Sequence, residues 1–220
     1  MKVYFFSGLG ADERAFINIK LNSSFEIVHI PWIVPEKNES LKSYAQRISV
    51  YIDTTNPFAL VGLSFGGVVV SEMLDILKPA KTILISSVAR RSELPLYFRT
   101  AGTLRLYKFS LPFPSAKANA FIYWIFGISS DENRNLFRSV LERSNPVFSQ
   151  WAVARLLRWD RSLSQDNIIR IHGDQDKLLP IINFQPDYLI EGGGHLMILD
   201  RAGQISEIIS NELNSVNSKN

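Results

Sequence analysis

The most constraining feature is a rhythm: short apolar runs rich in β-branched and aromatic residues alternate with stretches of helix length. The runs fall at residues 3–6, 25–30, 58–62, 82–86, 168–172 and 188–190. Each is too short for a helix, and most end at Gly, Ser or Pro. Between them, Ser40 stands where a helix cap would, and Leu41, Tyr44, Ala45, Ile48 and Ile52 follow at helical spacing. Residues 12–20, 68–77 and 204–213 read as further helices, and 214–220 as a fraying polar tail. Strands that alternate with helices, and that are apolar on both faces, predict an α/β fold with a mostly parallel sheet of about six strands covered by helices on both sides.

One stretch breaks the rhythm. Residues 88–166 contain no convincing strand; helices are expected at 94–106, 116–126, 131–143 and 146–159, punctuated by Pro112, Pro114 and Pro146. This reads as a helical insertion after the fourth strand of one domain spanning residues 1–220. No repeat or low-complexity linker divides the chain.

Composition excludes several classes. With 46% hydrophobic residues in 220, the chain can bury a sizeable core. It has 24 basic and 21 acidic residues, an excess too small to mark a nucleic-acid binder. It has no cysteine, so a disulfide framework, a thiolate nucleophile and a zinc–cysteine site are ruled out. The apolar run near Met1 is too short for a signal-peptide core, and no window reaches the length of a membrane span. The expectation is a soluble cytoplasmic protein.

The third strand runs into Gly62-Leu63-Ser64-Phe65-Gly66-Gly67, and the next residues read as helix. A serine between glycines on a strand-to-helix turn can stand clear of the backbone at the sheet edge, in front of a helix N-terminus that favours negative charge. Its hydroxyl needs a base to become a nucleophile. The chain has three histidines. His195 follows Gly192-Gly193-Gly194 after the last strand, where glycines let the loop pass close to that edge. His29 lies inside a strand and His172 at the end of one, and both read as structural. The acid is expected between serine and base in sequence. Asp176 in Gly173-Asp174-Gln175-Asp176 is preferred, with Asp174 as its rival. Oxyanion donors are expected from the N–H of Phe65 and, in the loop after the first strand, of Leu9 within Ser7-Gly8-Leu9-Gly10.

These motifs, in this order over nearly the whole chain, resemble the α/β-hydrolase superfamily, and in particular its small bacterial esterase- and lysophospholipase-like members. The resemblance implies Ser64 as nucleophile, His195 as general base and Asp176 as the acid that orients it. It also implies a lid formed by 88–166. The chain departs by carrying Ser7-Gly8 where that family often has His-Gly, and by starting at what would be the family's third strand. A serine nucleophile sets it apart from the aspartate-dependent dehalogenases and epoxide hydrolases. The expected activity is hydrolysis of an ester or thioester of a small, partly apolar substrate, with no metal or organic cofactor. Thioester hydrolysis, acyl transfer or C–C hydrolysis could use the same three residues, and a non-catalytic small-molecule-binding protein could keep them too.

For the substrate site, the insertion offers aromatics such as Phe121 and Trp124, which either line an apolar pocket or form the helices' own core. It also carries Arg90, Arg91, Arg99, Arg105, Lys108 and Lys117 against Glu93. These point to an anionic substrate or to a solvated helix face.

Overall fold

The computed structural model describes residues 1–105, 119–162 and 167–217. Six strands form one sheet: β1 (Lys2–Phe6), β2 (Glu26–Ile30), β3 (Phe58–Leu63), β4 (Lys81–Ile85), β5 (Ile168–Gly173) and β6 (Tyr188–Ile190). Their order is β2-β1-β3-β4-β5-β6, and every neighbouring pair is parallel. All six C-terminal ends therefore open onto one edge. The order reverses between β1 and β3, which opens a crevice at that edge where ligands of α/β sheets bind.

Alternation along the strands builds two cores. Tyr4, Phe6 and Leu60 face one side, with α1 (Leu41–Ile48) and α2 (Phe65–Met73) packed over them. Val3, Phe5, Ala59 and Val61 face the other, under α7 (Ala202–Asn217). Ile205, Ile209 and Leu213 recur every fourth residue on α7, and each is fully buried. At about 1.5–3 kcal/mol for each such side chain, that single face anchors the helix. All nine residues of α2 are buried, so a helix apolar nearly all round is what its place demands, and its two polar side chains are bonded: Ser71 Oγ donates to the Gly67 carbonyl, and Glu72 accepts from Trp159 Nε1. Ser40 caps α1 as expected, its Oγ accepting from the Ser43 N–H at 3.0 Å.

The insertion holds α3 (Leu96–Thr103), α4 (Ala120–Phe126), α5 (Asp131–Glu142) and α6 (Pro146–Arg158). Asn119, Ser130 and Asn145 cap the last three, each accepting a backbone N–H at the first turn. Residues 106–118, with Lys108 and Lys117 and the start of the helix expected from 116, lie outside the described residues.

Three expectations need correction. Residues 12–20 form only a 3-10 turn, Glu13–Phe16. Beyond it, tertiary bonds replace helical ones: Asn18 Nδ2 donates to the Leu199 carbonyl and the Lys20 N–H to Ser206 Oγ. The helix α1 stops at Ile48, and a 3-10 turn over Ser49–Tyr51 carries the chain on. Finally, α7 runs on to Asn217, so 214–217 is helix and not a frayed tail. Among the described residues no helix is long and apolar enough to cross a membrane.

Candidate active site

Ser64 sits between β3 and α2 with φ 51° and ψ −119°, a conformation that costs a non-glycine residue energy and that its surroundings must enforce. They do so through its backbone bonds, of which three are short. Its N–H donates to the Ile85 carbonyl at 2.9 Å, and its carbonyl accepts from the Gly67 N–H at 2.9 Å and from Ser87 Oγ at 2.6 Å. The glycines of the motif are required by close approach. A Cβ on Gly62 would strike Gly67, and one on Gly66 would strike the Phe6 carbonyl oxygen, at the end of β1.

His195 and Asp176 arrive from the ends of β6 and β5. The two loops are tied together by the Gln175 N–H, which donates to the Gly193 carbonyl at 2.9 Å. His195 Nε2 lies 2.9 Å from Ser64 Oγ, and its Nδ1 lies 2.8 Å from Asp176 Oδ2. A carboxylate only accepts, so Nδ1 carries the hydrogen and Nε2 turns its lone pair to the serine hydroxyl. His195 and Asp176 are buried, and Ser64 is partly open.

Burial by itself pushes the Asp176 carboxyl up. The charge of His195 and the hydrogen bonds from His172 and His195 outweigh it and hold the carboxyl far below the ordinary range. Its Oδ1 also accepts the N–H groups of Leu178 and Leu179 at 2.9 and 2.8 Å. Asp176 is thus an anion at any pH near neutrality. Asp174 is exposed and makes no such contact.

Gly8 approaches Ser64 closely: a Cβ on Gly8 would lie 3.6 Å from the Ser64 Cβ. The Gly8 carbonyl accepts from Trp32 Nε1 at 3.2 Å and from the Ala11 N–H at 3.0 Å. A trans peptide sets its C=O and N–H on opposite sides, so these bonds turn the Leu9 N–H the other way. The N–H groups of Leu9 and Phe65 donate to no other backbone group among the described residues, and both residues line the cavity beside Ser64. Sequence reading missed Trp32; a Trp two residues past β2 carries no motif.

That cavity has a volume of about 290 Å³. Phe98 of α3, Ile122, Ile125 and Phe126 of α4, Leu136 and Phe137 of α5, and Leu156 of α6 line it. Among the described residues, Ser64 and His195 contribute its only polar side chains. Phe121 and Trp124, offered by the sequence as pocket residues, do not line it. With Ile122, Ile125 and Phe126 turned inward, they fall on the outer face of α4. There they stack on each other at 5.9 Å, at 62% and 57% exposure. Nor do the arginines reach the cavity: Arg90 pairs with Glu93 at 2.9 Å, and Arg91 Nη1 donates to the Trp159 carbonyl at 2.6 Å. A second cavity, about 430 Å³, lies beyond the 8–11 loop, lined by Asp12, Glu13 and His29 and not by Ser64. There His29 stacks on Phe16 at 5.6 Å, and burial lowers its pKa.

No protein-family model and no curated protein matches the sequence. Solved structures do match. An esterase from Thermogutta terrifontis superposes with a TM-score of 0.69 at 16% identity, over 98% of this chain and 90% of its own. The chain has the α/β-hydrolase fold. An esterase from Exiguobacterium antarcticum gives a TM-score of 0.71 at 16% identity, over 99% of this chain and 92% of its own. A bromoperoxidase from Bacillus anthracis gives 0.66 at 14% identity, over 97% and 91%. Neighbours with different chemistries share the fold, so the reaction must be argued from the site.

Proposed function

We propose that the protein is a serine hydrolase that cleaves an ester or thioester of an apolar acyl group through an acyl-enzyme on Ser64. The observation that carries this reading is the unbroken chain Ser64 Oγ, His195 Nε2, His195 Nδ1, Asp176 Oδ2, with both links under 3 Å. His195 takes the Ser64 proton as Oγ attacks the carbonyl carbon. Asp176 fixes the tautomer and stabilises the imidazolium. The N–H groups of Leu9 and Phe65 receive the oxyanion. His195 then gives its proton to the leaving group, and activates the water that releases the acid.

The cavity supports an uncharged acyl group, because no charged side chain of the described residues lines it. Among the described residues the lining is apolar apart from Ser64 and His195, so it suits an acyl chain, and the ester series below reads out the length it takes. The test is hydrolysis of p-nitrophenyl acetate, butyrate, octanoate and monosuccinate by wild type and Ser64→Ala. The reading requires apolar esters to outpace the succinate, and turnover to fall by at least ~10³ in the variant. Equal turnover by the purified variant contradicts it. Tight, saturable binding of the esters without turnover would favour a small-molecule-binding protein.

A further inference from the structure

His172 was expected to be structural, but its ring meets the acid of the site. Its Nε2 lies 3.1 Å from Asp176 Oδ2 and 2.8 Å from the Leu179 carbonyl oxygen. Both neighbours are acceptors, so Nε2 carries a hydrogen, with the Leu179 carbonyl as its nearer partner and Asp176 Oδ2 as its longer one. Asp176 Oδ2 is the same oxygen that holds His195 Nδ1. The carboxylate is therefore gripped on one oxygen by two imidazoles and on the other by the N–H groups of Leu178 and Leu179.

The ring that makes this contact has little freedom. His172 is on β5, in register with Leu189 of β6, and is 1% exposed. The ring of Phe184 meets it edge to face, with centroids 5.1 Å apart. A histidine that served only the Leu179 carbonyl would not need to reach the carboxylate. One that served only burial would be better replaced by an apolar side chain.

We propose that His172 is a positioning residue of this site, whose Nε2–H fixes the rotation of the Asp176 carboxylate so that Oδ2 meets His195 Nδ1. This rests on the serine-hydrolase reading above. The Leu178 and Leu179 N–H groups anchor Oδ1; without the His172 N–H, Oδ2 is left to His195 alone, the carboxylate turns more widely about its last bond, and the base it orients loses alignment with Ser64. A misplacement of that kind acts on the chemical step and leaves substrate binding alone.

The test compares His172→Gln, His172→Asn and His172→Leu with wild type. Glutamine places an amide N–H near the position of Nε2. Asparagine is too short to reach, and leucine has no donor. Each protein is assayed for kcat and KM on p-nitrophenyl butyrate, and for melting temperature. The expected result is a kcat reduced about tenfold or more in the Asn and Leu variants, KM unchanged, and most of kcat recovered in Gln. Should Asn and Leu fail to fold, Gln alone must still fold and keep kcat within about threefold of wild type. Folded Asn or Leu protein with wild-type kcat overturns the proposal. So does a folded Gln variant as slow as Leu, because a donor would then not be what matters. If wild type itself shows no Ser64-dependent turnover, the reading of the site fails first, and that outcome is distinct from the other two.

Discussion

Gly127 ends α4 in the left-handed conformation, at φ +70°, directly against the loop that carries His195. A Cβ placed there would lie 2.7 Å from the Gly194 Cα and 3.5 Å from the His195 nitrogen. Carbon atoms rest at about 3.5–4.0 Å, so Gly127→Ala must push the two backbones apart by about 1 Å. The shift cannot be absorbed freely on either side. The Phe126 carbonyl accepts the Leu196 N–H at 3.0 Å, and the Phe126 ring stands edge-on to the His195 ring at 5.5 Å. Two effects follow. The left-handed conformation with a Cβ costs ~1–2 kcal/mol, which lowers the melting temperature by roughly 2–8 °C for a chain of this size. Displacing the base by about 1 Å costs about 10²-fold in rate. The assay is the second-order rate of Ser64 modification by a fluorophosphonate, measured well below the variant's melting temperature. Gly203→Ala is the control: it lies in the first turn of α7 with nothing within 4 Å of its added Cβ, so it should not lower the melting temperature and should leave the rate alone. A Gly127→Ala protein that melts lower but reacts at the wild-type rate refutes the reasoning that α4 holds the histidine in place.

Other consequences are read more simply. Asp176→Asn should lower kcat by about 10⁴ with little change in KM, because its one amide oxygen can accept either from the two backbone N–H groups or from the two histidines, and the NH₂ that takes the other place only donates; steady-state kinetics check it. Asp176 titrates below its ordinary 3.8 in the folded protein, so just under that pH the unfolded chain binds more protons than the native state. Stability from this group is full above the ordinary value and is lost progressively as pH falls from there toward the lowered folded-state value. Thermal melts should therefore drop below about pH 4, and less steeply in Asp176→Asn. Phe121→Ala and Trp124→Ala should leave kcat/KM within about twofold, since both rings face outward. By contrast, Ile125→Trp should fill the cavity and turn the acyl preference toward acetate, as the ester series above would reveal.

The strands were legible because each is a short, nearly continuous apolar run, the signature of a strand buried on both faces. The position of Ser64, Asp176 and His195 was legible for a related reason. A parallel sheet brings every strand end to one edge, so residues just after three strands must converge there whatever their separation in sequence. What periodicity could not supply was competition. Residues 17–20 have helical spacing but give their polar groups to Leu199 and Ser206, which lie about 180 positions away. The outward turn of Phe121 and Trp124 was equally hidden. An apolar run such as Ala120–Phe126 has no polar face to mark its orientation, and its packing on α5 and on the Gly194–His195 loop decides which residues look inward. His172 had a signal that could have been read: it precedes Asp176 by one helical turn's spacing, at the end of the same strand whose loop carries the acid.

The central claim is that His195 activates Ser64, and covalent labelling tests it most directly. Wild type, Ser64→Ala and His195→Ala are treated with a fluorophosphonate, and the adduct is located by peptide mass spectrometry. The account predicts a stoichiometric adduct on Ser64 in wild type, none in Ser64→Ala, and modification slowed by at least ~10³ in His195→Ala. Folded wild-type protein that stays unlabelled, or that labels equally fast without His195, contradicts it.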